Sequence, residues 1–146
     1  MASLSPLIEE ILKDGGTATL TITGTSMWPM LCHRVSRVRL APVGELKKGD
    51  LPLYRRDNGA YVLHRILSVE PDGTYTCCGD NQWHLERGLR HDQMIAVVTD
   101  FCRKGDAWVS GNDWKYRLYA RLWMAVRPLR RYILGGMRRI KRYLRP

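Results

Sequence analysis

The chain has 146 residues, 45% of them hydrophobic and 26% charged, with 24 Lys and Arg against 14 Asp and Glu. That length suits one domain with apolar content enough for a core, and it excludes a large multidomain enzyme, a disordered chain and a polytopic membrane protein. The charge of +10 is segregated: residues 114–146 carry 11 bases and no acid, while residues 1–113 hold 13 bases and 14 acids.

Ser5 and Pro6 make a helix cap and first turn, Leu7, Ile8, Ile11 and Leu12 line one face, and Gly15-Gly16 stops the helix. Glu9, Glu10, Lys13 and Asp14 interrupt this stretch, so it does not read as a secretory signal peptide. From Thr17 to Thr23, Ala18, Leu20 and Ile22 alternate with threonines, the period of a half-buried strand. Strand-like runs follow at Arg37–Ala41, Leu51–Arg55, Ala60–Val69, Thr74–Cys78, Met94–Phe101 and Ala107–Ser110, with Asp57-Asn58-Gly59 and Asp72-Gly73 as hairpin turns. Beyond Gly111 the pattern changes. Asn112-Asp113 caps a helical run in which Trp114, Leu118, Leu122 and Val126 recur. Pro128 and Gly135-Gly136 divide the rest of the tail, while Leu129, Ile133, Met137, Ile140 and Leu144 keep one apolar stripe. The expected fold is mainly β: a compact, barrel-like body over 17–111, a helix over 1–16, and a broken amphipathic helical tail over 112–146.

Cys32, Cys77, Cys78 and Cys102 follow no scaffold or CxxC spacing and read as buried free thiols, which favours a reducing compartment. Cys32, His33, His84 and His91 lack metal-ligand spacing, so no metal and no cofactor is expected. No apolar stretch approaches the ~20 residues that span a bilayer.

Chemistry concentrates at Gly24-Thr25-Ser26-Met27-Trp28-Pro29, where a glycine two residues before a serine permits a tight bend that presents the hydroxyl at a strand end. A nucleophilic serine needs a base, and alternation along Ala60–Val69 places His64 on a face with Val62 and Ile66; burial there keeps the ring neutral. The bland alternatives are a turn serine and a core histidine. Asp80, in Gly79-Asp80-Asn81, is positioned to orient the histidine or simply to close an Asx-turn.

In order, G-x-S-M-x-P at 24–29, a Leu- and Lys-bearing loop ending in Gly49-Asp50, the strand with His64-Arg65, and the strand leading to Gly79-Asp80-Asn81 resemble the signal peptidase I and LexA-type serine peptidase superfamily over about residues 17–104. With histidine rather than lysine at 64, the chain looks like the histidine branch. The resemblance implies Ser26 as nucleophile, His64 as base, and Asp80 as third member, with Glu86 the alternative acid. It also implies an oxyanion hole at the Ser26 amide aided by the Thr25 or Thr23 hydroxyl, and an extended peptide added to a strand edge beside Met27 and Trp28. Two departures stand out: Pro52 is expected to confine its strand to an edge or bulge, and residues 1–16 do not read as the N-terminal anchor that the resemblance would lead one to expect.

The tail mixes eleven cations with Trp114, Trp123 and four tyrosines, the composition of an interfacial helix. Trp114, Arg121, Trp123, Arg130, Arg131, Arg138 and Arg139 are its candidate contacts with an anionic membrane, on the cytoplasmic side, peripheral to the inner face of the plasma membrane. A helix covering the body ranks second and a nucleic-acid arm third. The leading expectation is an endopeptidase that cuts a leader or precursor peptide near a membrane. The rivals are a silent β-domain that binds extended peptides or membrane through its tail, and a LexA-type fragment, for which residues 1–16 supply no helix-turn-helix.

Overall fold

The computed structural model describes residues 5–144, with side chains described from Ile8 onward. The cap expected of Ser5 and the packing of Leu7 therefore lie outside the described residues, as does Arg145.

Helix α1 (Ser5–Lys13) is followed by β1 (Ala18–Thr21), β2 (Arg37–Pro42), β3 (Pro52–Arg55), β4 (Tyr61–Leu63), β5 (Arg65–Val69), β6 (Tyr75–Cys78), β7 (Glu86–Leu89), β8 (Met94–Cys102) and β9 (Trp108–Ser110). Helix α2 (Trp114–Ala125) and helix α3 (Arg130–Tyr143) close the chain, joined by a 3-10 turn at Arg127–Leu129. Strand only slightly exceeds helix, because the tail is almost wholly helical.

The strands form two antiparallel sheets. One curls into a half-barrel in the order β1-β2-β8-β3-β4 with β9 on β8, and the other is β5-β6-β7. The run read as one strand over Ala60–Val69 is two strands in different sheets, and His64 is the residue between them. Pro52 opens a strand that lies inside the sheet, between β8 and β4, rather than at its edge; a register shift follows at Leu53/Tyr54. As the first residue of β3, proline removes no more than one ladder donor. Strand β7 was not foreseen.

β3 is covered on both faces, which sets the architecture of the site. Leu53 joins a core with Ile8, Leu20, Leu31, Val38, Leu40 and Phe101, whereas Tyr54 joins a second core with Ile66, Tyr75, Cys77 and Met94. A tyrosine is thereby sealed in an apolar layer with its hydroxyl needing partners. All four cysteines are unpaired, and Cys77, Cys78 and Cys102 are buried.

Asp113 caps α2, accepting from the Lys115 and Tyr116 amides at 2.9 and 3.1 Å. Gly135 and Gly136 do not divide the tail; α3 runs through them. The inner side of α2 covers the body, the arrangement ranked second from the sequence. Trp123 and Arg130, expected at a membrane, are buried, whereas Trp114, Arg121, Arg131, Arg138 and Arg139 are exposed.

Candidate active site

The chain leaves β1 at Thr21 and turns through Gly24, whose φ of 91° is the left-handed conformation that glycine adopts without strain. The Gly24 amide donates to His33 Nδ1 at 2.7 Å, a loop contact the sequence reading missed. Ser26 follows, and its carbonyl is gripped by the Asn81 amide at 2.9 Å while Asn81 Nδ2 donates to the Thr25 carbonyl at 2.9 Å. Gly79 is required here by close approach: a Cβ on it would lie 2.6 Å from the Ser26 carbonyl oxygen. Gly79-Asp80-Asn81 thus holds the serine turn in place.

Asp80 is sealed from water and receives Arg65 Nε and Nη2, each at 3.0 Å, and the Tyr119 hydroxyl at 3.2 Å. The Trp123 indole N–H donates to the Asp80 carbonyl at 2.8 Å. The carboxylate is engaged by this fork and, among the described residues, makes no hydrogen bond to His64. Desolvation opposes the charge on Arg65, but Asp80 outweighs it and holds the guanidinium protonated. Arg130 is likewise buried, donating to the carbonyls of Trp123 at 2.8 and 3.1 Å, Gly79 at 3.3 Å and Gln82 at 3.2 Å.

Glu86, the alternative acid named from the sequence, is linked to His64 through an intermediary. Tyr54 OH donates to Glu86 Oε2 at 2.6 Å and lies 3.4 Å from His64 Nδ1. A phenol has one proton and an ionised carboxylate has none to give, so Tyr54 spends its hydrogen on Glu86 and accepts from Nδ1–H. The tautomer follows: Nε2 carries the lone pair. Burial raises the carboxyl of Glu86, yet the hydrogen bonds from Arg56 and Tyr54 prevail and hold it below its ordinary range. Arg56 donates to it twice, Nε at 2.8 Å and Nη2 at 3.0 Å. The imidazole of His64 is 5% exposed, and its pKa falls to about 4, chiefly through burial, with the Glu86 charge opposing. At neutral pH the ring is therefore free base.

Ser26 and His64, distant in sequence, line one cleft of about 310 Å³ with Ile22, Thr23, Met27, Arg56, Val62, Leu63 and Gln82. No direct hydrogen bond joins Ser26 Oγ to the ring among the described residues. The walls come from the chain just past β1 and from β4, the two outer strands of the half-barrel, so the cleft lies between unpaired edges. Met27 is 2% exposed and serves both as wall and as core. Trp28 is not part of the lining; Lys141 Nζ sits 5.6 Å over its ring. Thr25 also stands outside the lining, whereas Thr23 is in it.

Tyr54 and Arg56 went unnoticed in the sequence, where they read as ordinary strand positions. Antiparallel pairing of Tyr54 with Val62 is what brings the phenol beside His64, and only a register assignment reveals it. Among the described residues no cluster of His, Cys, Asp or Glu is arranged to hold a metal ion. Compared with protein-family models, with curated proteins and with solved structures, the chain finds no match.

Proposed function

We propose that the protein is a serine endopeptidase that cleaves a leader or precursor peptide bound in extended form. The observation that carries this reading is the pairing, in one cleft, of Ser26 with a buried histidine whose Nδ1 lies against a Tyr54 hydroxyl already committed to Glu86, an arrangement that favours Nε2 as the free base. In the first step Ser26 Oγ attacks the scissile carbonyl as His64 Nε2 takes the hydroxyl proton. The Ser26 amide, which donates no hydrogen bond among the described residues, faces the developing oxyanion, with the Thr23 hydroxyl beside it. The imidazolium then gives its proton to the leaving amine, the C–N bond breaks, and an acyl-serine remains. Water attacks that ester as His64 again accepts a proton and returns it to Ser26. Glu86 stays ionised throughout and balances the transient imidazolium through Tyr54.

A peptide strand fits between the free edges of β1 and β4, with backbone hydrogen bonds supplying affinity. The cleft is at the small end of ligand pockets, and Ile22, Met27, Val62 and Leu63 suit short apolar side chains. The test is incubation of a complex peptide mixture with wild type and with Ser26→Ala, read by mass spectrometry of new termini. Wild type should generate a defined set of ends that the variant forms at least about a thousandfold more slowly. A folded wild type producing none, or equal cleavage by both, overturns the proposal and leaves a peptide-binding domain.

A further inference from the structure

Helix α2 presents three distinct sides. Tyr116, Ala120 and Trp123 pack inward, with Tyr116 OH accepting from Arg65 Nη1 at 2.8 Å. On a second side Arg117 and Arg121 form one wall of a cleft of about 660 Å³, whose opposite wall is the turn bearing Lys47 and Lys48. On the third, Trp114, Leu118 and Leu122 line an apolar groove and are 68%, 49% and 59% exposed.

The cationic cleft is unbalanced. Arg127 joins the four bases above, Asp50 is the sole acid in the lining, and one oxygen of Asp50 is taken by the Lys47 amide at 2.9 Å. None of the five bases makes an ion pair among the described residues. Helix α3 repeats the composition, with Arg131, Arg139 and Arg142 exposed alongside Tyr132, Ile140 and Tyr143.

We propose that the outward side of α2 docks on an anionic phospholipid bilayer: the Trp114–Leu118–Leu122 row enters the acyl boundary while Arg117, Arg121, Lys47 and Lys48 take a lipid phosphate between them. This neighbouring of an apolar row and an open cationic cleft is what an interfacial helix requires. A second copy of the chain fits poorly, because pairing through α2 brings like charges together with no acid in the tail to offset them. A nucleic acid satisfies the cations but leaves the apolar row in water.

The experiment is flotation of the full chain with vesicles of phosphatidylcholine alone and of equal parts phosphatidylcholine and phosphatidylglycerol. Wild type should float with the anionic vesicles and not the neutral ones. Arg117→Glu with Arg121→Glu reverses four units of charge and should weaken partitioning several hundredfold, at roughly fivefold per unit. Leu118→Ser with Leu122→Ser should weaken it about tenfold or more. All four positions are exposed, so thermal unfolding should match wild type. Equal flotation with both vesicles, or flotation indifferent to the charge reversal, overturns the proposal. So does a dimer that the serine variant dissolves while vesicles go unbound, or RNA binding lost on charge reversal without vesicle binding. Ser26→Ala should float like wild type, so a failed peptidase reading shows in hydrolysis alone.

Discussion

Replacing Asp80 by Asn separates the two acids that compete for the histidine. Asp80 accepts three hydrogen bonds, two of them from a guanidinium as deeply buried as itself. The neutral amide leaves Arg65 charged and without a counter-ion in the interior, a loss of about 3–5 kcal/mol. Against the ~5–15 kcal/mol that holds an average domain together, this is large, and it should appear as a lower urea midpoint with an unchanged slope. Glu86→Gln behaves differently. The side chain is 26% exposed, so its loss costs less, about 1–2 kcal/mol. Its amide, however, can donate to Tyr54, which reverses that hydrogen bond and turns the phenol's proton toward Nδ1. The imidazole is then pushed into the tautomer whose Nε2 already carries a hydrogen, and hydrolysis should fall by about 10²–10⁴. Urea unfolding followed by tryptophan fluorescence, with initial rates corrected for folded fraction, measures both effects. An Asp80→Asn protein that unfolds at the wild-type midpoint yet loses more rate than Glu86→Gln would return the orienting role to Asp80.

The remaining expectations use the same assays. Unfolded histidine titrates near about 6.5 and the folded ring at about 4, so the unfolded state takes up its proton first as pH falls. The stability His64 confers by being neutral is complete above about pH 6.5, drains away below it, and is gone under about pH 4, a change of about 3 kcal/mol. Parallel wild-type and His64→Gln stability curves across that range would refute it, and the acid limb of kcat/KM should lie below the ordinary histidine range. Tyr54→Phe deprives Nδ1–H of its acceptor and Glu86 of a donor; it should cost about 1–3 kcal/mol and replace one ring tautomer by a mixture in nitrogen-15 NMR spectra of the imidazole. Gly79→Ala puts a Cβ 2.6 Å from the Ser26 carbonyl and 2.9 Å from Gln82 Oε1, so the serine turn must shift. Thermal unfolding should show a loss of about 1–3 kcal/mol, with hydrolysis down tenfold or more; wild-type behaviour in both would remove the clamp.

Periodicity located most strands, because each outer strand exposes one face and buries the other. It failed where that premise fails. β3 is buried at Pro52, Leu53 and Tyr54 alike, so alternation gave no hint that Tyr54 occupies a different layer from Leu53. The continuous run through His64 concealed a change of sheet, since Arg65 pairs with Cys78 while Leu63 pairs with Leu53. Glu86, Arg87 and Gly88 show no apolar alternation, and β7 forms on the strength of its neighbour β6. Composition marked the tail as polycationic but could not tell an arginine bonded to carbonyls from one in water. Arg130 belongs to the first kind and Arg131, its neighbour, to the second.

The wiring of that tail bears on how the protein can be shortened. Tyr119, Trp123 and Arg130 fasten the turn that holds Ser26, and Arg138 Nη2 reaches Asn81 Oδ1 at 2.8 Å. Cutting where the composition changes, at Asp113, strips away these supports. A trimmed variant made for labelling, crystallisation or fusion should keep the polypeptide through at least Arg138, and a reporter domain belongs beyond it.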